Sequence, residues 1–349
     1  MLISKAYKTL LLLGTYGYSL TTLLYQGNLG VSSKFYIILL CTILTVWTFI
    51  PVNKTQVQHS IISPNIYFIV FGILFIDLII FLNSYESFSG YFNRTTRDAE
   101  FFGGNTYVIL DIIKKVFFIH LLAKRKWKIT ILILGWIILF DLAYLGARRT
   151  ALFCILGTTY LALKNNDYLK TSRVFLSLLI TGLVGFLFSG YRELLNSGLT
   201  INSYKVILLA AVYTNEFQLV SENLIRYINY TIENGPNPFY SFTSIFTIFI
   251  PRLIWSSKPL TLDKELDIFP NLFGEIFYNF GWFSIVVAVL IFNLLLKLFN
   301  KGNYLLSIFL FASVIDLFRT TINQYILTLI LFYLLYKVSS YVFPKKIIL

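Results

Sequence analysis

The sequence predicts an all-α, polytopic integral membrane protein of about ten transmembrane helices, and three observations carry that expectation. First, 57% of its 349 residues are hydrophobic and only 13% are charged, against about 25% charged in a typical soluble domain. Second, apolar runs of roughly 17 to 25 residues recur along the chain, the length a helix needs to cross a ~30 Å hydrocarbon core. Third, the net charge of +13 lies mostly in short polar segments between those runs. There lysine and arginine fix topology, so the basic balance does not argue for nucleic acid. Residues 1–349 thus form a single transmembrane domain, with no room for a soluble one beyond one long loop.

In chain order the spans fall at about 6–25, 34–51, 65–83, 105–122, 129–146, 150–164, 173–190, 275–299, 303–319 and 321–341. The first follows Lys5 and Lys8 without a small-x-small cleavage pattern, which suits an uncleaved span. With both ends cytoplasmic, the inner segments hold Lys54, the "KRKWK" cluster at 124–128, Lys164, Lys170, Arg173, Lys297 and Lys301. The reverse orientation puts that cluster outside, against the positive-inside rule. Cys41 and Cys154 both fall within spans and are expected as free thiols. Lys114 and Lys115, in the inner half of the fourth span, are expected to snorkel to the cytoplasm. Asp77 and Asp141 are expected to tie helices together or meet a nearby cation, Asp141 being the better functional candidate.

The segment 191–274 is then the long outer loop. Within "NEFQLVSENLIRYIN", Phe217, Val220, Leu224 and Ile228 recur at helical spacing opposite Glu216, Glu222 and Asn223, as in an amphipathic helix resting at a membrane surface. "SFTSIFTIFI", 241–250, is apolar but too short to span, and suits a re-entrant or interfacial segment.

In this topology the two basic residue types separate. Of ten arginines only Arg125 and Arg173 are cytoplasmic; Arg94, Arg97, Arg148, Arg149, Arg192, Arg226, Arg252 and Arg319 lie on or near the outer face. Among lysines only Lys34, Lys205, Lys258 and Lys264 are outside. Topology does not sort Arg from Lys, whereas binding phosphate or carboxylate through a planar fork does. Several of these arginines sit at span ends: Arg148 and Arg149 in "GARRT", Arg192 in "SGYRE", Arg319 in "DLFRT". Such a ring suits an anionic ligand at headgroup depth, and a lipid-linked pyrophosphate places its charge there. The plain alternative is that each arginine snorkels or pairs locally, as Arg319 can with Asp316.

His59 and His120 both fall on the inner side, which weighs against a histidine nucleophile system or zinc site outside. No P-loop, dinucleotide fingerprint or metal-ligand cysteine pattern is present, and neither metal nor cofactor is expected. Glu193, directly after Arg192, is a candidate general base toward a sugar hydroxyl. Glu216, Asp263, Glu265, Asp267 and Glu275 rival it, and an ion pair with a neighbouring arginine is its structural alternative. The acidic pair Asp98 and Glu100 reads as solvated charge. Outer aromatics, Tyr191, Trp255 and Tyr278 among them, suit either sugar platforms or an interfacial belt.

"GARRT", the "IPRLIWSSKP" stretch at 250–259 and "GEIFYNFGWFS" together resemble the Wzy-type O-antigen or capsule repeat-unit polymerases. The motif residues are Pro251, Arg252, Trp255, Lys258 and Pro259, then Tyr278, Asn279, Phe280 and Gly281. The resemblance implies a metal-independent, C-type membrane glycosyltransferase acting on the periplasmic face of the bacterial inner membrane. Its donor and acceptor are undecaprenyl-pyrophosphate-linked oligosaccharides, and a chain-length regulator is a candidate partner. It assigns a pyrophosphate role to Arg148, Arg252 and Lys258, with Arg149, Arg192 and Arg319 as helpers. Tyr191, Trp255, Tyr278 and Asn279 are candidate sugar contacts, and Arg252 and Glu193 the catalytic candidates. Rival readings are an O-antigen ligase, in which an outer-loop histidine is expected, and a flippase or exporter of lipid-linked sugars. The latter predicts cations lining a path through both leaflets.

Overall fold

The computed structural model describes residues 2–25, 30–50, 61–62, 64–83, 105–138, 140, 148–165, 216–238, 240, 271–301, 304–342 and 346–347. These are almost wholly helical. The helices are α1 (Leu2–Thr15), α2 (Thr22–Tyr25), α3 (Val31–Phe49), α4 (Ile66–Asn83), α5 (Asn105–Ala123), α6 (Trp127–Ile137), α7 (Arg148–Asn165) and α8 (Glu216–Asn234). They continue as α9 (Leu272–Phe280), α10 (Ser284–Lys301), α11 (Tyr304–Ala312), α12 (Val314–Arg319) and α13 (Ile322–Val342). The one β pairing is two residues long, Ile61 opposite Ile347 and Ile62 opposite Lys346.

Two stretches are long and apolar enough to cross a membrane, α3 and the run Leu272–Lys301 that contains α9 and α10. Ile66–Ile80, Lys128–Ile137, Thr150–Lys164 and Ile322–Val338 are apolar but shorter. Among the described residues, then, two of the ten expected spans have full spanning character. Polar insertions and breaks account for other cases. α5 carries Asp111, Lys114 and Lys115 mid-helix, α1 runs into a π-helical turn at Tyr16–Leu20, and Ser313 separates α11 from α12. Both stretches expose large apolar side chains: α3 exposes Phe35, Ile38, Val46 and Phe49, and α10 exposes Val286, Leu290 and Leu294. Apolar surface of this extent calls for an apolar covering.

The chain divides into two compact units. The first comprises Met1–Thr55, Glu216–Lys301 and Val314–Leu329; the second comprises Gln56–Asn215, Gly302–Ser313 and Ile330–Leu349.

In the first unit α1 packs on α3, α10 and α12. Tyr7 stacks on Phe299 with centroids 4.3 Å apart, and Ser4 Oγ donates to Asn300 Oδ1 at 2.8 Å. Gly14 lies against the Phe318 ring, which a Cβ at that position would overlap. The free carbonyls at the end of α3 are met by Lys8, whose Nζ donates to Ile50 O at 2.6 Å and Trp47 O at 3.3 Å. α8 forms where its periodicity predicts, but its buried face differs in detail. Leu224 and Ile228 are buried as expected, together with Ser221, Tyr227 and Thr231 at helical spacing. Asn223, assigned to the solvent side, is buried with them. The reason is that this face meets protein: α8 packs on α9, α2 and α3, and Ser33 Oγ donates to Asn229 Oδ1 at 3.3 Å.

In the second unit α5 packs on α4 and α7, and α7 on α11. Gly157 admits this approach, since a Cβ there would lie 3.0 Å from Leu122. Phe153 meets Phe309 edge to face, and Phe309 stacks on Phe332 at 4.2 Å.

Candidate functional site

Of the residues proposed for function, Tyr191, Arg192, Glu193, Arg252, Trp255 and Lys258 lie outside the described residues, as do Asp141 and the segment 241–250. The remainder fall in both units.

In the first unit the site-bearing element is α9, "LFGEIFYNF". Asn271 caps it: its Oδ1 accepts from Phe273 N at 3.0 Å and Gly274 N at 3.1 Å, while its Nδ2 donates to Tyr18 O at 3.1 Å. The helix ends at Gly281, whose φ of 53° favours glycine, and a short 3₁₀ turn leads into α10. Glu275 is 1% exposed, and its Oε2 accepts from Ile322 N, at the start of α13, at 2.7 Å. A carboxylate there complements the positive end of the helix dipole. Glu275, a rival for general base, is therefore engaged in holding α9 to α13.

Asn279 is buried one turn later, and its Nδ2 donates to Glu275 O at 2.7 Å. Tyr278 is 4% exposed and sits among Tyr227, Tyr230 and Tyr240, the last two with ring centroids 5.9 and 5.8 Å away. Its carbonyl accepts from Asn237 N at 2.9 Å. In this arrangement Tyr278 is part of a packed tyrosine cluster rather than an open platform. Arg319 closes α12, half-buried, three residues before the backbone nitrogen that Glu275 holds. α9 and α12 are in contact. The fold thus gathers Asn279, Tyr278 and Arg319 into one unit.

In the second unit Arg148 and Arg149 are the first two residues of α7, whose first turn contains no acidic residue. Thr150 follows, and its hydroxyl donates to Asp111 Oδ1 on α5. Asp111 Oδ2 pairs with Lys115 at 2.8 Å. Lys114, the next residue back on α5, pairs with Asp77 of α4 at 2.5 Å, and Trp136 Nε1 donates to Asp77 Oδ2 at 2.8 Å. The expectation that Asp77 meets a cation holds. The expectation that Lys114 and Lys115 snorkel to the cytoplasm does not: they are 1% and 4% exposed. Each has a carboxylate within reach, so neither needs water. Asp111 is the residue that sequence reasoning passed over, although Asp111 and Lys115 stand at i,i+4.

Cys41 and Cys154 are buried and joined in no disulfide, as expected. Among the described residues no group of three His, Cys, Asp or Glu side chains has the arrangement of a metal site. No family model matches the chain, and no curated protein and no solved structure matches it either.

Proposed function

We propose that the chain is a polysaccharide repeat-unit polymerase of the bacterial inner membrane, with multiple spans, both termini cytoplasmic and its site on the periplasmic face. It transfers a growing glycan from undecaprenyl pyrophosphate to the non-reducing end of a new lipid-linked repeat unit. The observation that carries this reading is the start of α7. Two adjacent arginines open a helix of 18 residues with no acid in its first turn. Cations there oppose the positive end of the helix dipole. A bound pyrophosphate reverses the balance, because both the dipole and the arginines then attract it.

The chemistry follows from charge. The bond from the anomeric carbon to the pyrophosphate oxygen breaks, and the departing pyrophosphate becomes more negative. Arg148, Arg252 and Lys258 stabilise that charge as it develops, which lowers the barrier rather than merely tightening binding. Arg149, Arg192 and Arg319 assist. Glu193 takes the proton from the acceptor hydroxyl whose oxygen forms the new glycosidic bond. Neutralised pyrophosphate leaves without protonation, so the reaction needs no cofactor.

The purified full chain, incubated with lipid-pyrophosphate repeat units, is expected to yield a ladder of polymer. Arg148→Lys, which keeps the charge and loses the fork, is expected to lower the rate at least about tenfold, the value of one charge-assisted hydrogen bond. Undiminished polymer from that variant would reduce Arg148 to a topological charge. Transfer to a lipid A core without polymer identifies a ligase, and movement of the intact lipid across the bilayer identifies a flippase. Lys114 and Lys115 in the fourth expected span are the feature a flippase could claim, and their burial and pairing weigh against it.

A further inference from the structure

The helices of the first unit share a common frame. Phe35 and Trp282 meet with ring centroids 5.9 Å apart, and Trp47 Nε1 donates to Asn293 Oδ1 at 2.7 Å. These contacts fall in the same order along α3 and α10, so the two helices run parallel. α1 runs the other way, with Ser4 and Tyr7 against Asn300 and Phe299 at the far end of α10. α9 does not extend α10, although by composition Leu272–Lys301 is one apolar stretch of 30 residues. A straight helix would set Phe273 and Phe292 about 28 Å apart. Their ring centroids are 6.4 Å apart. The chain reverses at Gly281, and α9 packs on α10.

Exposed side chains sort by level in this frame. Phe35, Trp282 and Phe283 stand at one end. Next along the helices α3 exposes Ile38 and Val46, and α10 exposes Val286, Leu290 and Leu294. Two polar residues, Thr42 and Asn293, interrupt this face, and both are bound internally. Thr42 Oγ1 donates to Ile38 O at 2.8 Å, and Asn293 accepts the Trp47 indole. Hydrocarbon requires such internal bonds and water does not. The far end exposes Lys5, Lys297 and Lys301, and no described residue there is acidic. The aromatic end mixes Lys34 and Arg226 with Glu222 and Glu233. At 1.5 Å per residue, Trp282 to Lys301 covers about 28 Å, which matches a ~30 Å hydrocarbon core.

We propose that the exposed sides of α3 and α10 are a lipid-contact surface, bounded by Phe35 and Trp282 at the outer headgroups and by Lys5, Lys297 and Lys301 at the inner ones. Tryptophan favours the headgroup boundary, and an excess of lysine marks the cytoplasmic side. α9 is then a re-entrant half-helix below the outer boundary. Leu272 to Asn279 are all buried, and Asn271 caps the helix, as an end at membrane depth requires. The surface sharpens the membrane placement proposed above, on which it rests, and uses none of the polymerase chemistry.

The test uses the full chain with single nitroxide labels at Trp282→Cys, Val286→Cys, Leu290→Cys, Leu294→Cys and Lys301→Cys. Cys41 and Cys154 are replaced by alanine, and the vesicles are of phosphatidylcholine and phosphatidylglycerol. Collision with oxygen, relative to a water-soluble nickel chelate, is expected to peak at Leu290 and fall toward Trp282 and Lys301. In sealed spheroplasts a membrane-impermeant maleimide is expected to modify Lys34→Cys and to leave Lys301→Cys unmodified. Nickel access at Leu290, a peak at either end, or spin–spin broadening from a second copy would overturn the surface. Reversed maleimide labelling would overturn its orientation. With both native cysteines in place, Leu290→Arg sets a charge near the bilayer centre and is expected to lower the thermal midpoint in vesicles. An unchanged midpoint would also overturn the surface. No readout needs polymer, so a chain that builds none can still show this surface, and a chain that builds it can lack it.

Discussion

The two units bury polar groups in opposite ways. In the second unit four ionised side chains on α4 and α5 pair across and along helices, Lys114 with Asp77 and Lys115 with Asp111. In the first unit the buried polar contacts are largely neutral. Tyr36 accepts from Ser284, Trp47 Nε1 donates to Asn293 Oδ1 at 2.7 Å, and Asn271 caps α9. Even the buried charges Glu275 and Lys8 meet backbone groups, Glu275 a nitrogen at the start of α13 and Lys8 the carbonyls of Trp47 and Ile50. The difference predicts opposite responses to mutation. Removing one member of an ion pair strands a full charge, while removing one member of a neutral pair strands at most a dipole.

The largest effect is therefore expected at Asp77. Asp77→Asn keeps an acceptor for Trp136 but leaves Lys114 buried with its charge uncompensated. A loss of about 3–5 kcal/mol is expected, read as a large fall in the thermal midpoint. Lys114→Met strands Asp77 in the same way. The double variant Asp77→Asn, Lys114→Met leaves no charge behind and is expected to recover to within about 1 kcal/mol of the parent, since apolar replacement of a buried pair is often neutral. If the double variant is as unstable as either single one, the pair serves packing rather than charge and the comparison fails at its strongest point.

An intermediate effect is expected where the first unit relies on close approach. Gly274 faces Tyr227 of α8 so closely that a Cβ would lie 2.8 Å from the ring Cγ and 3.0 Å from Cβ. The ring cannot swing freely, because Tyr227 belongs to the cluster that holds Tyr278. Gly274→Ala is expected to cost about 1–3 kcal/mol, the usual toll of overpacking. Unaltered unfolding of that variant would show that α8 and α9 slide apart easily.

These contrasts also separate what was legible in the sequence from what was not. Apolar run length places α3, α4 and α5 within a few residues of 34–51, 65–83 and 105–122, because hydropathy and helix length are local properties. The breaks inside apolar runs were hidden. Nothing in the pattern around Ser313 distinguishes one helix from two, and the turn at Gly281 was marked only by its glycine. The partner of Lys114 was equally invisible, since Asp77 lies on another helix and periodicity does not report which helices touch. Lys115 and Asp111 were readable as an i,i+4 pair. Within the candidate site, the "YNF" of α9 marks a resemblance, but its tyrosine is packed and its asparagine holds its own helix. A motif residue can owe its place to packing as readily as to binding, and spacing alone does not separate the two.

The smallest effect is expected at Ser284, where the comparison is tested from its weak end. Ser284 Oγ donates to Tyr36 OH at 3.1 Å, and that hydroxyl lies 3.5 Å from Phe273 O. Ser284→Ala removes a donor but leaves the tyrosine hydroxyl donating to Phe273 O, so no group is stranded. Tyr36→Phe deletes the shared hydroxyl, and Ser284 retains its own rotor. Each is expected to cost about 0.5–1.5 kcal/mol in unfolding measurements, the ordinary net value of a neutral hydrogen bond. Both remove the same bond, so the double variant is expected to lose little more than the costlier single one. The charged pair gives two large losses that cancel on combination; the neutral pair gives two small losses that merely overlap. A cost above about 3 kcal/mol for Ser284→Ala would place this hydroxyl pair with the ion pairs and erase the distinction between the units.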